Sequence, residues 1–411
     1  MRKTPFHYGW IITFLGFLTV LGAHGFGRFA YSLILPPMKE GLNLDYFQMG
    51  LIATGNFIGY LTLATVGGLL ASRYGSRVVI SLSAALMGVT MIWTGFSTCF
   101  EHAFIARLLT GLGNGGAYLP AMALPSIWFA FKLRGRATGL VSTGIGVGFT
   151  LSGVAVPLIL LSYGAEGWRY SWYYLGMVLL AIAVVDYVLL RNRPEDLGLK
   201  AVGAAGQNGS GGVDEAGSAL RWGLVYRNRA VWFVGLVYLM YGFSYIVYVT
   251  FFAAYLQTLG WAREAAISLW FIVGILSILS GFIWGWVSDV LGRKYGMAMA
   301  FTFLALSYLL FAVAPTTLGL YCSAVLFGIS AWSIPTISVV AASDYVGAEL
   351  RSAAAGFVTF FFGVGQVIGP AVGGYIIEAT QVFSYSFLIA TIGSLVGAGG
   401  ALALRKPKAP A

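Results

Sequence analysis

"GWVSDVLGRK", Gly285 to Lys294, repeats a pattern that has already occurred at Gly68 to Arg77 as "GLLASRYGSR". The displacement is 217 residues, and two further stretches match at the same displacement without a gap. "HGFGRFAYSLILPPM" from His24 meets "YGFSYIVYVTFFAAY" from Tyr241, and "RGRATGLVSTGIGVG" from Arg134 meets "RSAAAGFVTFFFGVG" from Arg351. In a chain with 56 glycines one such match carries little. Three in a single register mean that a large unit was duplicated, and that the second half of the chain repeats the architecture of the first.

The composition says what that unit is made of. Of 411 residues 59% are hydrophobic and 9% charged, where a soluble domain carries about 25% charge. Apolar windows recur from end to end, each long enough for the ~20 residues that cross about 30 Å of hydrocarbon. Barrel strands would instead show ~10-residue segments of alternating polarity. The expected fold is an all-α membrane protein of twelve helices, near 8–35, 46–71, 76–96, 102–130, 136–163, 168–190, 230–257, 264–288, 294–314, 316–342, 350–377 and 380–404, six in each copy. Pro36-Pro37, Tyr74-Gly75, Pro194 and Pro315 punctuate the series. The first run, Tyr8 to Leu35, exceeds the ~7–15 apolar residues of a signal peptide and lacks a small-residue cleavage site, so it is expected to stay. Cys99 and Cys322 have neither metal nor disulfide spacing.

Charge sets the orientation. With both termini on one side, the segments on that side and their borders hold 19 of the 24 Lys and Arg residues. The other side holds Lys39, Arg169 and Arg263. Positive residues stay in the cytoplasm, so the termini and the long central loop are expected there, in a cell (inner) membrane. The net charge of +10 is thus topology and contact with anionic lipid, and no nucleic-acid binding is expected. "AVGAAGQNGSGGVDEAGSA", 201–219, reads as a flexible linker. It divides the chain into an N-terminal bundle (1–190), a linker loop (191–229) and a C-terminal bundle (230–411).

These features resemble the major facilitator superfamily over essentially the whole chain. The most specific piece is the loop between the second and third helices of each half, G-x-x-x-D-R-x-G-R-R in that family. The second copy fits with Gly285, Asp289, Gly292, Arg293 and Lys294. The first keeps Gly68, Arg73, Gly75 and Arg77 but has Ser72 in the acid's place. The resemblance implies a cytoplasmic gating latch at these residues, weaker in the first copy. Arg107 with Gly111 and Gly113 is similar to the fourth-helix motif R-x-x-x-G-x-G, and "GVGQVIGPAVGG", 363–374, to the eleventh-helix Gly-Pro motif. "GLGNGGAYLP", 111–120, and "FHYGWII" resemble the monocarboxylate-porter and oxalate–formate branch. That branch carries an arginine on its eighth helix for the substrate carboxylate, and 265–288 contains no basic residue. The family implies two bundles working by alternating access, with helices one, four, seven and ten lining a central cavity.

Arg28 and Arg107 lie inside spans. A charge there costs at least about 2.5–3.5 kcal/mol on insertion scales and by default faces a polar cavity or a partner. The only carboxylate in a predicted span, Asp186, lies near the cytoplasmic end, close to Arg191. Two guanidinium groups without a deep acid suit a small organic anion, whose carboxylate oxygens match their planar forks. At α-helical spacing His24, Arg28 and Tyr31 share a face. So do their repeat counterparts Tyr241, Tyr245 and Tyr248, and helix four adds Arg107, Asn114 and Tyr118. The substrate-binding candidates are therefore Arg28, Tyr31, Arg107, Asn114, Tyr118, Tyr241, Tyr245 and Tyr248. His24 is the candidate proton carrier, because an imidazole titrates near neutral pH.

The function expected is secondary active transport of a small organic anion, by proton symport or anion exchange. Its alternative is efflux of hydrophobic drugs, which the 16% aromatic content suits but the absence of a cavity acid does not. No "GxxxxGK[ST]" nucleotide signature is present. Three histidines at 7, 24 and 102 offer no catalytic or metal set, so no enzyme, cofactor or metal is expected. The expected partners are the anion, the bilayer and protons, with the chain acting as a monomer.

Overall fold

The computed structural model describes residues 7–203, 222–261, 263–346 and 350–404. These residues fold into long helices, with one isolated β-bridge between Phe129 and Val202. In hydrocarbon every backbone N–H and C=O must be bonded within its own segment, which is the reason apolar spans coil. In chain order the helices are α1 (Tyr8–Leu42), α2 (Tyr46–Tyr74), α3 (Ser76–Gly95), α4 (Phe100–Trp128), α5 (Phe131–Tyr163) and α6 (Gly167–Leu189). The second half supplies α7 (Arg229–Thr258), α8 (Arg263–Leu291), α9 (Arg293–Val313), α10 (Thr317–Asp344), α11 (Arg351–Thr380) and α12 (Phe383–Ala403). By length and hydropathy ten stretches are fit to cross a membrane. One of them, Leu133–Leu189, holds both α5 and α6, which meet at a 3-10 turn, Gly164–Glu166. α4, with Arg107, Asn114 and two internal prolines, is not among the ten. Large apolar side chains such as Phe282, Trp286 and Leu69 lie outward and exposed, as a lipid-bathed surface requires.

The repeat is legible in backbone geometry. Displaced by 217 residues, the bounds of α2 become those of α8. The residue after each helix is a glycine with positive φ, Gly75 at 87° and Gly292 at 93°. A side chain at either turn would be strained, so the motif needs glycine there to hand the chain from one helix to the next.

α1 departs from expectation twice. It does not stop at Pro36-Pro37 but continues to Asn43, whose left-handed φ of 52° ends it. Each proline withholds one backbone donor, but Ile34, Leu35 and Met38 are fully buried around them, and that packing carries the helix through. Its middle, Leu21–Phe29, is π-helical. Gly22, Gly25 and Gly27 allow this widened turn, and Gly25 packs directly on the backbone of Gly148 in α5.

By contacts the chain divides into two compact units. The first comprises the described residues of Met1–Leu44 and Gly55–Gly209. Its core near the helix ends contains Ile12, Leu15, Leu124, Trp128, Val141 and Leu190. The second comprises those of Asp45–Thr54 and Ser210–Ala411, in which Thr54 Oγ1 donates to Val367 O at 2.8 Å. Most of the stretch read as a linker, 204–221, lies outside the described residues. Its start is pinned: Val202 N donates to Trp128 O, and Ala130 N donates to Val202 O, both at 2.9 Å.

In the second unit Tyr248 sits in an aromatic core with Tyr308, Phe311 and Phe327, at centroid distances of 5.4, 4.8 and 4.6 Å. Its hydroxyl is 3.0 Å from Ser323 Oγ. Tyr248→Phe keeps the ring and removes this bond. Membrane hydrogen bonds are worth on average about 0.6 kcal/mol, so a small fall in melting temperature with unchanged transport is expected. A loss of transport would give Tyr248 a role beyond packing.

Candidate substrate site

The site is built from the π segment of α1 and from α4. A π turn closes i to i+5 bonds and such turns are frequent at functional sites. Asn114 on α4 donates through Nδ2 to Ala23 O at 2.6 Å, anchoring α4 to the widened segment. Within it, Arg28 Nη1 lies 3.2 Å from His24 Nε2. A guanidinium can only donate, so His24 Nε2 accepts and the imidazole carries its proton on Nδ1. The Arg28 guanidinium lies 4.5 Å from the Phe57 ring and 5.1 Å from Tyr60, both on α2, while the His24 ring lies 4.1 Å from Tyr118. Arg28 is 6% exposed.

Arg107 occupies a second position. It is 1% exposed, with its guanidinium 4.6 Å from the Trp172 ring of α6 and 5.3 Å from Tyr31. Its Nε and Nη1 are buried and have no hydrogen-bond acceptor among the described residues. Cation–π contact holds the group in place without meeting those donors. A side-chain hydrogen bond from α2 fixes the helix beneath it: Asn56 Nδ2 donates to Arg107 O at 3.0 Å.

The face expected to unite His24, Arg28 and Tyr31 is thus divided. His24 and Arg28 gather with Phe57, Tyr60 and Tyr118, while Tyr31 turns to Arg107 and Trp172. The spacing argument assumed 3.6 residues per turn, and the π segment breaks that period immediately before Tyr31. In the second unit α7 keeps the α-helical period, and its neighbouring helices separate the three tyrosines. Tyr241 and Tyr245 stack at 4.8 Å and lie against Phe362, whereas Tyr248 turns into the core just described. The Tyr241 hydroxyl donates to Ala331 O, where α10 is broken between Ser330 and Ser333. Gln366 Nε2 donates to the Tyr245 hydroxyl. The expected stripe missed Phe57, Tyr60 and Trp172, which come from helices two and six; only the i, i+3 spacing of Phe57 and Tyr60 was visible beforehand.

The two duplicated loops, after α2 and after α8, differ. In the second, Arg293 pairs with Asp289, donates to Ser288 Oγ at 2.7 Å and lies 3.6 Å from Asp344. In the first, Ser72 Oγ donates to Leu69 O, and Arg77 donates through Nε to Tyr187 O at 2.6 Å and through its amide to Asn192 Oδ1 at 2.9 Å. Arg73 lies over the Tyr74 ring, and no side chain approaches a Cβ placed at Gly68 or Gly285.

Residues 20–402 match the family model described as "Uncharacterised MFS-type transporter YbfB". The chain belongs to that major facilitator family. It is a multi-pass membrane transporter and not an enzyme. The carrier is 25% identical over 92% of its length to "Probable sulfoacetate transporter SauU" of Cupriavidus necator, covering 89% of that protein. It is 23% identical over 93% of its length to "Monocarboxylate transporter 2" of Homo sapiens, covering 82% of it. In fold it is similar to a bacterial homologue of the human lysosomal transporter Spinster, solved inward-facing and unoccupied, with a TM-score of 0.79, 15% identity and full coverage of both chains.

Proposed function

We propose that this carrier is a secondary transporter of a small organic anion with a carboxylate or sulfonate head, working by alternating access. The observation that carries the reading is Arg107: a buried guanidinium with two donor nitrogens that find no acceptor among the described residues. An oxyanion supplies what those donors lack, and a planar guanidinium is the group best matched to it. Arg28, held among aromatic faces, adds positive charge in the same unit. Tyr31, Tyr118 and Asn114 would orient the anion there, with Tyr241 and Tyr245 serving the second unit. The relatives named for sulfoacetate and for monocarboxylates support the substrate class.

On this reading the bundles are 1–190 and 230–411, joined by the loop 191–229. The Lys and Arg distribution supports cytoplasmic termini, and this reading assigns the carrier to the cell membrane. The cycle is proton symport or anion exchange, the chain working as a monomer.

The test is uptake into proteoliposomes of labelled sulfoacetate, lactate and glucuronate, each competed by the others. Arg28→Gln is expected to lower uptake of the best of them about tenfold, a loss of roughly 1.4 kcal/mol, within the range of desolvated cation–π and charge contacts. Dye efflux that ignores all three anions would replace this reading with hydrophobic-compound export.

A further inference from the structure

Asp186 is fully buried in α6, facing α1. Its Oδ2 lies 2.8 Å from Thr19 Oγ1, and Thr19 Oγ1 lies 3.0 Å from Leu15 O. A threonine hydroxyl has one hydrogen, and a carbonyl can only accept. If that hydrogen goes to Leu15, the contact with Asp186 requires a hydrogen from Asp186. A neutral carboxylic acid satisfies both contacts in sequence: Asp186 O–H donates to Thr19 Oγ1, and Thr19 O–H donates to Leu15 O. An ionised Asp186 would hold at most one of them, and its Oδ1 is buried with no hydrogen-bond partner among the described residues. An unpaired charge buried in this way costs several kcal/mol.

The cations on α1, α3, α5 and just after α6 bond elsewhere or are exposed. Arg191 Nη1 donates to Val188 O and Leu190 O, Arg77 on α3 donates to Tyr187 O, and Arg134 on α5 donates to Phe129 O. Arg136 on α5 is exposed. On α1, Tyr8 donates to Leu189 O, Arg28 lies at His24, and Tyr31 lies at Arg107. Among the described residues no ion pair reaches Asp186. The sequence reading gave the coupling proton to His24, but His24 Nε2 is occupied by Arg28.

We propose that Asp186 is the proton-binding site of this carrier, protonated while α1 and α6 are closed on each other. When water reaches this end of α6, the O–H bond breaks, the proton passes to water, and the carboxylate is left hydrated. One proton is moved per cycle. The inference rests on the transporter reading for its role in coupling, but the protonation itself does not depend on any substrate.

Two measurements separate these parts. Infrared titration of the purified full chain should show the carbonyl stretch of a protonated acid at neutral pH, absent in Asp186→Asn. In Thr19→Val the band should persist but shift, because the acid has lost its acceptor. A wild-type spectrum without that band, or an identical band in Asp186→Asn, overturns the assignment. In liposomes, an inward proton gradient should drive accumulation of sulfoacetate or lactate by the wild type and not by Asp186→Asn, which keeps exchange of the same anion. Gradient-driven accumulation by Asp186→Asn overturns the coupling role. If the wild type takes up neither anion, the substrate reading fails, and the infrared result still decides whether Asp186 holds a proton.

Discussion

On the proposed reading, Arg107→Gln is expected to abolish stabilisation of the carrier by an organic anion and to lower transport roughly 100-fold. The size follows from what is removed. Truncating one partner of a desolvated, hydrogen-bonded charge pair costs about 2–5 kcal/mol, and each 1.4 kcal/mol is about a factor of ten. The folded protein should survive, because the Nε and Nη1 donors of Arg107 have no acceptor among the described residues to lose, and a buried charge lacking acceptors is a cost to the fold. Thermal shift with and without sulfoacetate or lactate checks both parts. The wild type should gain melting temperature with ligand, the variant should gain none, and the two should melt alike without it. A variant that still responds to the anion would remove Arg107 from the site.

Gly148→Val prevents the fold from forming. The first unit depends on α1 and α5 crossing at backbone contact, Gly25 against Gly148. A Cβ on Gly148 would meet Leu21 O at 2.7 Å and Gly25 Cα at 2.8 Å, both main-chain atoms that no rotamer change can move. Small residues at such crossings let helices associate in lipid, where no hydrophobic drive holds them together. Overpacking costs typically about 1–3 kcal/mol where side chains can yield; here the backbone of the π segment must move. Loss of the monodisperse peak on detergent size exclusion is expected. A variant that runs and transports like the wild type would show that the crossing is looser than drawn.

Much of the fold was legible because membrane helices announce themselves locally. The displacement between "GLLASRYGSR" and "GWVSDVLGRK" foretold two turns with the same backbone, and Gly75 and Gly292 share it. The site was less legible, for two physical reasons. Face arguments extrapolate one period, and the π segment at Leu21–Phe29 changes the period in the stretch where the arguments were applied. Long-range partners leave no local mark: nothing in α6 signals that Trp172 lies over Arg107 or that Asp186 meets Thr19. The positions of Arg28 and Arg107 in spans were visible because a charge in an apolar run is its own signal. Their separation into two clusters was visible only in three dimensions.

The unequal duplicated loops have a consequence for solution behaviour. Arg293, Asp289 and Asp344 form a partly exposed charge cluster, whereas Arg77 is tied to a carbonyl and an amide. Salt weakens exposed ion pairs as the screening length falls from about 8 Å at physiological strength to about 3 Å at 1 M, but leaves bonds to neutral acceptors nearly untouched. Added salt therefore loosens one of the two duplicated corners and spares its twin, so a molecule built from two copies of one plan responds lopsidedly to its ionic surroundings.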